Sequence, residues 1–296
     1  MSTVPKAVLR PAAAHDRSPR RRVWVRFLRH RGARAGAAAL GALALIAAAA
    51  PWIAPGDPAA TGEDRFLEAP GPVHWFGTDD LGRDVLTRVV HGGRISLVVG
   101  LVAVGVAAVA GAAIGLVTGY YGGRLDNVVM RGMDLLMAFP GVLLALLVIA
   151  ILGRGLVNVM IAVGIADVPS FVRLVRGSVL SAREHVYVEA ARAVGLPDRL
   201  ILLRHMLPNV FAPLLVVSTL EVGNAILVAS SLSFLGLGAQ PPSPEWGAML
   251  AAGREYMRTA WWLTVFPGLA IAFTVLAVNL LGDGLRDAID PRLSRS

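Results

Sequence analysis

Cysteine is absent from this 296-residue chain, and lysine occurs once, at Lys6. The first absence excludes disulfides, thiolate metal sites and thiol catalysis, and leaves the redox compartment open. The second excludes a Walker-type phosphate loop, which needs a lysine after its glycines, so the chain is not by itself a P-loop ATPase. Charge is scarce as well: 16% of residues are charged and 55% are hydrophobic, with a mean hydropathy of +0.63. A soluble domain of this size is not so apolar, and the composition is that of an integral membrane protein. The net positive charge, formally +8, is almost all arginine and is unevenly placed.

A membrane helix needs ~20 mostly apolar residues. Six stretches qualify, at roughly 35–54, 96–119, 135–153, 156–175, 210–236 and 262–282, the fourth interrupted by Asp167 and Pro169. The expected fold is therefore all-α with six transmembrane helices: a basic tail (1–33), a membrane domain (34–293) and a short C-terminal tail (294–296). Before the first span lie Arg10, Arg17, Arg20, Arg21, Arg22, Arg26, Arg29, Arg31 and Arg34 against Asp16. That excess places the N-terminus in the cytoplasm, and six spans return the C-terminus to the same side. The acidic stretch carrying Asp57, Glu63, Asp64, Glu68, Asp79, Asp80 and Asp84 then falls outside, and residues 176–209 fall inside. "SPRRRVWVRFL" also resembles a twin-arginine export signal, which would make the first span cleavable; a basic tail held inside by its charge is the preferred reading, and the first ~20 residues lack the apolar periodicity of a folded element.

The inner stretch "YVEAARAVGLPDRLILLRHMLPN" (187–209) is helical in pattern. Gly195 stops one short helix, Pro197 opens a second, Pro208 is expected to end that one, and Asn209 to cap the fifth span. Ala190 and Ala191 lack bulk, so another surface can approach the backbone there, with Glu189, Arg192 and Arg199 supplying charge around the contact. The alternative is an amphipathic loop that only anchors the fifth helix at the membrane surface.

The spacing Glu189-Ala190-Ala191, Gly195, Leu207-Pro208 resembles the EAA loop of ABC importer permeases. His205, in "RHMLPN", narrows the resemblance to the dipeptide, oligopeptide and nickel branch. "HWFGTDDLGRDVLTRVVHGGRISL" (74–97), "SFLGLGAQPPSPEWGAML" (233–250) and "NLLGDGLRDAIDPRL" (279–293) look like that branch's second-type permease subunit, so the likeness covers roughly residues 34–293. It implies a type I importer permease in a bacterial cytoplasmic membrane, passing peptides or a related small solute such as a nickel chelate. Implied partners are a homologous second permease, two ATPase subunits and an extracytoplasmic solute-binding protein. The loop 184–208 would be the coupling segment, with Glu189, Ala190, Ala191, Arg192, Gly195, His205, Leu207 and Pro208 as its contact residues. ATP and Mg would be bound by the partner ATPases, with no cofactor in this chain.

Other clusters are read locally. Thr78 looks like an N-cap with Asp79 and Asp80 in the first turn of a surface helix at the outer mouth, and Arg83 lies at i+4 and i+3 from them; Asp84 belongs to the same expected helix. His74 and His91 nearby suggest a metal, but scattered ligands define no geometry and none is expected. Gly111, Gly115 and Gly119 form a small-residue seam, assigned to packing within the subunit. Asp167 and Glu221 fall in or near spans, where ionisable groups face cavities or protein. Glu221, with Asn224, is a candidate for the translocation cavity; Asp167 is either such a residue or a cap before Pro169. Trp246 is expected as a headgroup-level anchor. A channel or secondary transporter would need ionisable residues along several spans, which are few here. An enzyme would need a nucleophile–base or metal constellation, which is missing. Nothing implies a nucleic-acid partner.

Overall fold

A computed structural model describes residues 25–62 and 65–289. The basic tail before residue 25, with the twin-arginine reading, therefore lies outside the described residues, as do Glu63, Asp64 and the C-terminal tail. Among the described residues every regular element is a helix: α1 (Arg31–Ala48), α2 (Ala50–Ile53), α3 (Val85–Tyr121), α4 (Gly123–Met137), α5 (Gly141–Leu152), α6 (Leu156–Arg183), α7 (Val186–Ala193), α8 (Asp198–Ile201), α9 (Leu207–Phe234), α10 (Trp246–Gly253) and α11 (Trp262–Ile289). α8 and α9 are joined without a break by a π-helical turn, Leu202–Met206. Five helices are long and apolar enough to cross a membrane, and α4 with α5 makes a sixth if that bent pair is one span.

The third expected span is where the fold departs most from the pattern. It is not one rod: α4 and α5 meet at 96° around Pro140. α5 alone, at about 1.5 Å per residue, is too short for a ~30 Å hydrocarbon core. α4 is instead pinned to α6 by arginines. Arg176 grips Asp126 through two bonds of 2.5 and 2.6 Å, and Arg173 reaches Asp134 at 2.7 Å. The fourth span is uninterrupted: α6 runs through Asp167 and Pro169 to Arg183. In a membrane bundle neighbouring helices can re-satisfy the backbone groups a proline frees. The cap reading for Asp167 is therefore wrong; it is a helix-interior residue.

The centre of the bundle is the crossing of α3 and α6. Phe171, Val172, Val175 and Val179 of α6 are fully buried and lie against Gly111, Gly115 and Gly119 of α3, so the glycine seam packs within the subunit. α1 and α11 cross as closely, with Gly36 and Gly284 at their contact.

Candidate functional site

At the end of the bundle where α3 begins, the acidic stretch folds into a knot and not into the expected helix. Asp84, not Thr78, is the N-cap of α3: its carboxylate accepts from the Thr87 amide and hydroxyl, both at 2.7 Å. Its other oxygen meets His74 Nδ1 at 3.0 Å. Thr78 is fully buried, donating to the Arg65 carbonyl at 2.6 Å and accepting from the Glu68 amide at 2.8 Å. Its hydroxyl is consumed in crossing the loop, so it has none to give a helix. Asp79, Arg83 and Arg88 are each 5–6% exposed. Asp79 accepts from the Leu81 and Arg83 amides (3.0 and 2.9 Å) and pairs with Arg83 Nε at 2.7 Å and Arg88 Nε at 3.5 Å; Asp80 stands 3.8 Å from Arg83. The expected Asp79–Arg83 pairing is present, but in a turn.

α10 and the head of α11 close this knot. Trp262 donates its indole N–H to the Thr78 carbonyl at 3.0 Å, and Trp246 donates to the Val89 carbonyl at 2.9 Å. Trp246 is buried, so it is a core residue and not a headgroup anchor. Glu245, also buried, caps α10 by accepting from the Gly247 and Ala248 amides at 2.9 Å each. Burial pushes its carboxyl above the usual range, and those two amides oppose the shift. Large apolar side chains that the acidic stretch exposes include Phe66, Val73, Trp75 and Leu81, which the sequence reading did not single out. Among the described residues no group of His, Asp or Glu is arranged to hold a metal ion.

The structure brings the three candidate cavity residues near one another, with Asp167 and Glu221 half-buried and Asn224 exposed. Asp167 on α6 and Glu221 on α9 are close enough to interact electrostatically, and Asn224 donates to Glu221 at 3.2 Å from the next turn. One oxygen of Asp167, Oδ2, is buried with no hydrogen-bond partner. A desolvated carboxylate oxygen without a donor is costly.

The opposite end carries the bend. α7 stops in a Schellman turn: the Gly195 amide bonds to the Arg192 carbonyl (2.9 Å) and the Leu196 amide to the Ala191 carbonyl (3.1 Å). Gly195 takes φ +76°, which a residue with a side chain adopts only at a cost. Pro197, expected in the first turn of the second helix, stands just before it as the N-cap of α8. Pro208, however, does not end the second helix. It sits in the first turn of α9, and the π turn before it, closed by a Leu207 amide to Leu202 carbonyl bond, carries the helix past the proline ring. A regular α-turn there would press that ring onto the carbonyl of residue 204. Asn209 is no cap; it donates to the His205 carbonyl (2.5 Å) and to the Tyr187 hydroxyl (3.0 Å).

Two of the expected contact residues are engaged within the chain, one buried and one exposed. Ala191 is buried with Val188, one turn earlier on the same face, so only Ala190 of the alanine pair is presented. Arg192 is engaged within the chain: its guanidinium lies 4.9 Å from the Tyr120 ring centroid and its Nε 3.4 Å from the Tyr120 hydroxyl. That hydroxyl donates to Asp198 at 2.6 Å. Glu189, Ala190 and Gly195 are exposed, as are Val186 and Val194, each more than three-quarters accessible. Tyr120 and Asp198 were not found in the sequence, where they are 78 positions apart.

A bundle with five or six helices long and apolar enough to cross a membrane, and a short helix at one end, has the architecture of a multi-pass membrane protein. The chain belongs to the family of binding-protein-dependent transport system inner membrane components, which it matches over residues 111–295. Residues 18–70 also match the N-terminal TM domain of oligopeptide transport permease C. It is 49% identical to the glutathione transport system permease protein GsiD of Pectobacterium atrosepticum, covering 94% of this chain and 92% of that one. It is 45% identical to the dipeptide transport system permease protein DppC of Alkalihalophilus pseudofirmus (93% and 91% covered). It is 44% identical to the di/tripeptide transport system permease protein DppC of Pseudomonas aeruginosa (94% of each). The chain is thus the permease subunit of an ABC importer and not an enzyme; the ATPase is a separate subunit.

Proposed function

We propose that the chain forms half of a transmembrane path for short peptides and is driven through α7 by a partner ATPase. The solute class is drawn from the relatives, which are named for glutathione, dipeptides and di/tripeptides. The second half of the path is a homologous permease, two ATPase subunits sit at the bend end, and a solute-binding protein delivers at the acidic-loop end. The bend and both termini are cytoplasmic, by the arginine excess before α1. The observation that carries the reading is α7 itself. It is anchored from beneath by Val188 and Ala191, yet it offers Val186, Glu189 and Ala190 to a partner. ATP binding draws the ATPases together, α7 moves with them, and the spans shift from inward-open to outward-open. ATP supplies the difference in affinity between states that such a shift requires. Reconstitution with the cognate ATPases, second permease and binding protein tests the reading directly. Hydrolysis should rise only with a peptide-loaded binding protein, and no stimulation by any loaded binding protein sinks it.

Two variants address the bend. Gly195 has no neighbour within 4 Å of an added Cβ, so Gly195→Leu acts through backbone strain alone, about 1–2 kcal/mol for a left-handed L-residue. With Glu189→Lys, it should leave the spans inserted and weaken ATPase association or uptake. Normal co-purification and normal transport in both variants would remove the coupling role.

Asp167, Glu221 and Asn224 contribute polarity to the solute path, on the strength of their convergence within the spans. Glu221→Gln should alter solute-stimulated transport or peptide preference while assembly stays normal. Unchanged transport and unchanged preference would show that the pair only packs.

A further inference from the structure

We propose that Tyr120 is the positioning residue through which movement of α7 enters the membrane bundle. The inference rests on the bend being the ATPase handle. α7 is two turns long and flanked by turns at Glu184–His185 and Val194–Gly195. Such a helix, held by Val188 and Ala191 alone, could swivel under load and dissipate it.

Tyr120 prevents that by closing the bend from inside. It is the penultimate residue of α3 and is 4% exposed. Arg192, from the last turn of α7, lies over its ring and donates to its hydroxyl; the hydroxyl in turn donates to Asp198, in the first turn of α8. The two charged residues stand on opposite sides of Gly195 and share one oxygen atom. The donor order is consistent throughout: guanidinium N–H to phenol oxygen, phenol O–H to carboxylate. Both bonds involve an ionised partner, and the 2.6 Å phenol-to-carboxylate bond is of the stronger, charge-assisted kind. α7, α8 and α3 are thereby one bracket.

The bracket continues into the bundle. Arg183, at the end of α6, donates to the Gly119 carbonyl at 3.3 Å, one residue before Tyr120. From there α3 and α6 are locked by the glycine seam. A displacement of α7 therefore moves α3 and α6 as a unit, and Asp167 rides on α6.

The test uses the complete transporter in liposomes, reading dipeptide uptake per ATP hydrolysed beside ATPase co-purification and thermal stability. Tyr120→Phe keeps the ring and removes both hydroxyl bonds. Asp198→Ala removes the acceptor from an exposed position, so it remains decisive if Tyr120→Phe fails to fold. Asp198→Asn keeps an oxygen that can accept from the phenol. Uptake per ATP should fall about tenfold in Asp198→Ala, the loss of one hydrogen bond to a charged group, at least as far in Tyr120→Phe, which loses two, and should stay near the unsubstituted value in Asp198→Asn. ATPase binding should be unchanged in all of them. An undiminished ratio in Tyr120→Phe or Asp198→Ala overturns the proposal. So does Asp198→Asn as poor as alanine, or loss of ATPase binding, which would make these residues part of docking or folding. Failure of the handle itself is read separately, by normal ATPase binding and transport in the Glu189 and Gly195 variants.

Discussion

Asp79→Ala is expected to be the most destabilising single substitution at the acidic-loop end, despite lying in a loop. Its carboxylate is the shared partner of Arg83 and Arg88, and it also accepts two backbone amides. Removing it leaves Arg88 without its carboxylate partner and Arg83 with Asp80 alone, at 3.8 Å, and both residues are 5–6% exposed. Arginine cannot escape by losing its proton. Arg88 retains the Pro58 carbonyl at 2.8 Å and the Pro242 carbonyl at 3.3 Å, but neither neutralises it. A cavity of about 20 Å³ already lies between these residues and α10. That is room for about one water. Breaking a buried pair by deleting one partner typically costs about 3–5 kcal/mol, and here two cations lose the same anion. Because the knot joins the loop, α3, α10 and α11, the loss should appear as a lower melting temperature of the purified subunit and a lower yield of membrane-inserted protein. Arg88→Met, which leaves Asp79 its nearer partner Arg83, should cost clearly less. Equal melting of Asp79→Ala and the unsubstituted protein, or a larger loss from Arg88→Met, would show that the knot does not hold this end together.

The contrast between Thr78 and Asp79 shows how far the sequence could be read. Hydrophobic length pointed to the five long apolar helices, because a membrane-crossing helix must be apolar over its whole length whatever it packs against. The Gly195 stop was legible because a Schellman turn is local, written in residues 191–196. Thr78 misled because "TDD" satisfies the local rule for a cap while its hydroxyl is claimed by Arg65 and Glu68 across the loop. Ala191 could have been placed correctly: it shares a helical face with Val188, and an apolar i,i+3 pair on a short helix points inward. The 96° break between α4 and α5 left only Pro140 as a sign, since an apolar window does not encode direction. The Tyr120 contacts with Arg192 and Asp198 had no signal at all. A tyrosine at the end of an apolar helix reads as an interfacial aromatic, and its partners come close only once α3, α6 and the bend have assembled.

That assembly depends on the glycine seam, which leads to the second large effect. Lipid tails are as apolar as leucine, so helices in a membrane gain little by hiding apolar surface from one another and are held by close packing. The crossing of α3 and α6 is built on backbone proximity. A Cβ on Gly115 would stand 2.8 Å from both the Val172 carbonyl oxygen and Val175 Cβ, and one on Gly119 would stand 2.9 Å from Val179 Cβ. At Gly111 it would overlap Phe171 Cβ. A carbonyl oxygen cannot swing aside as a side-chain tip can, so even Gly115→Ala must push the helices apart. Overpacking by one methyl group typically costs about 1–3 kcal/mol; Gly115→Val should exceed that, and Gly111→Val should leave little folded subunit. Gly105, on the same helix, has nothing within 4 Å of its added Cβ. Gly105→Ala should therefore be neutral or slightly stabilising in the isolated subunit, since alanine favours a helix interior over glycine by about 0.5–1 kcal/mol. Size-exclusion profiles and melting curves in detergent should rank the variants Gly105→Ala, Gly115→Ala, Gly115→Val, Gly111→Val in decreasing stability. A Gly115→Val protein as stable as Gly105→Ala would mean that α3 and α6 can separate freely. The seam would then transmit nothing, because a bracket at Tyr120 moves α6 only while the two helices cannot part.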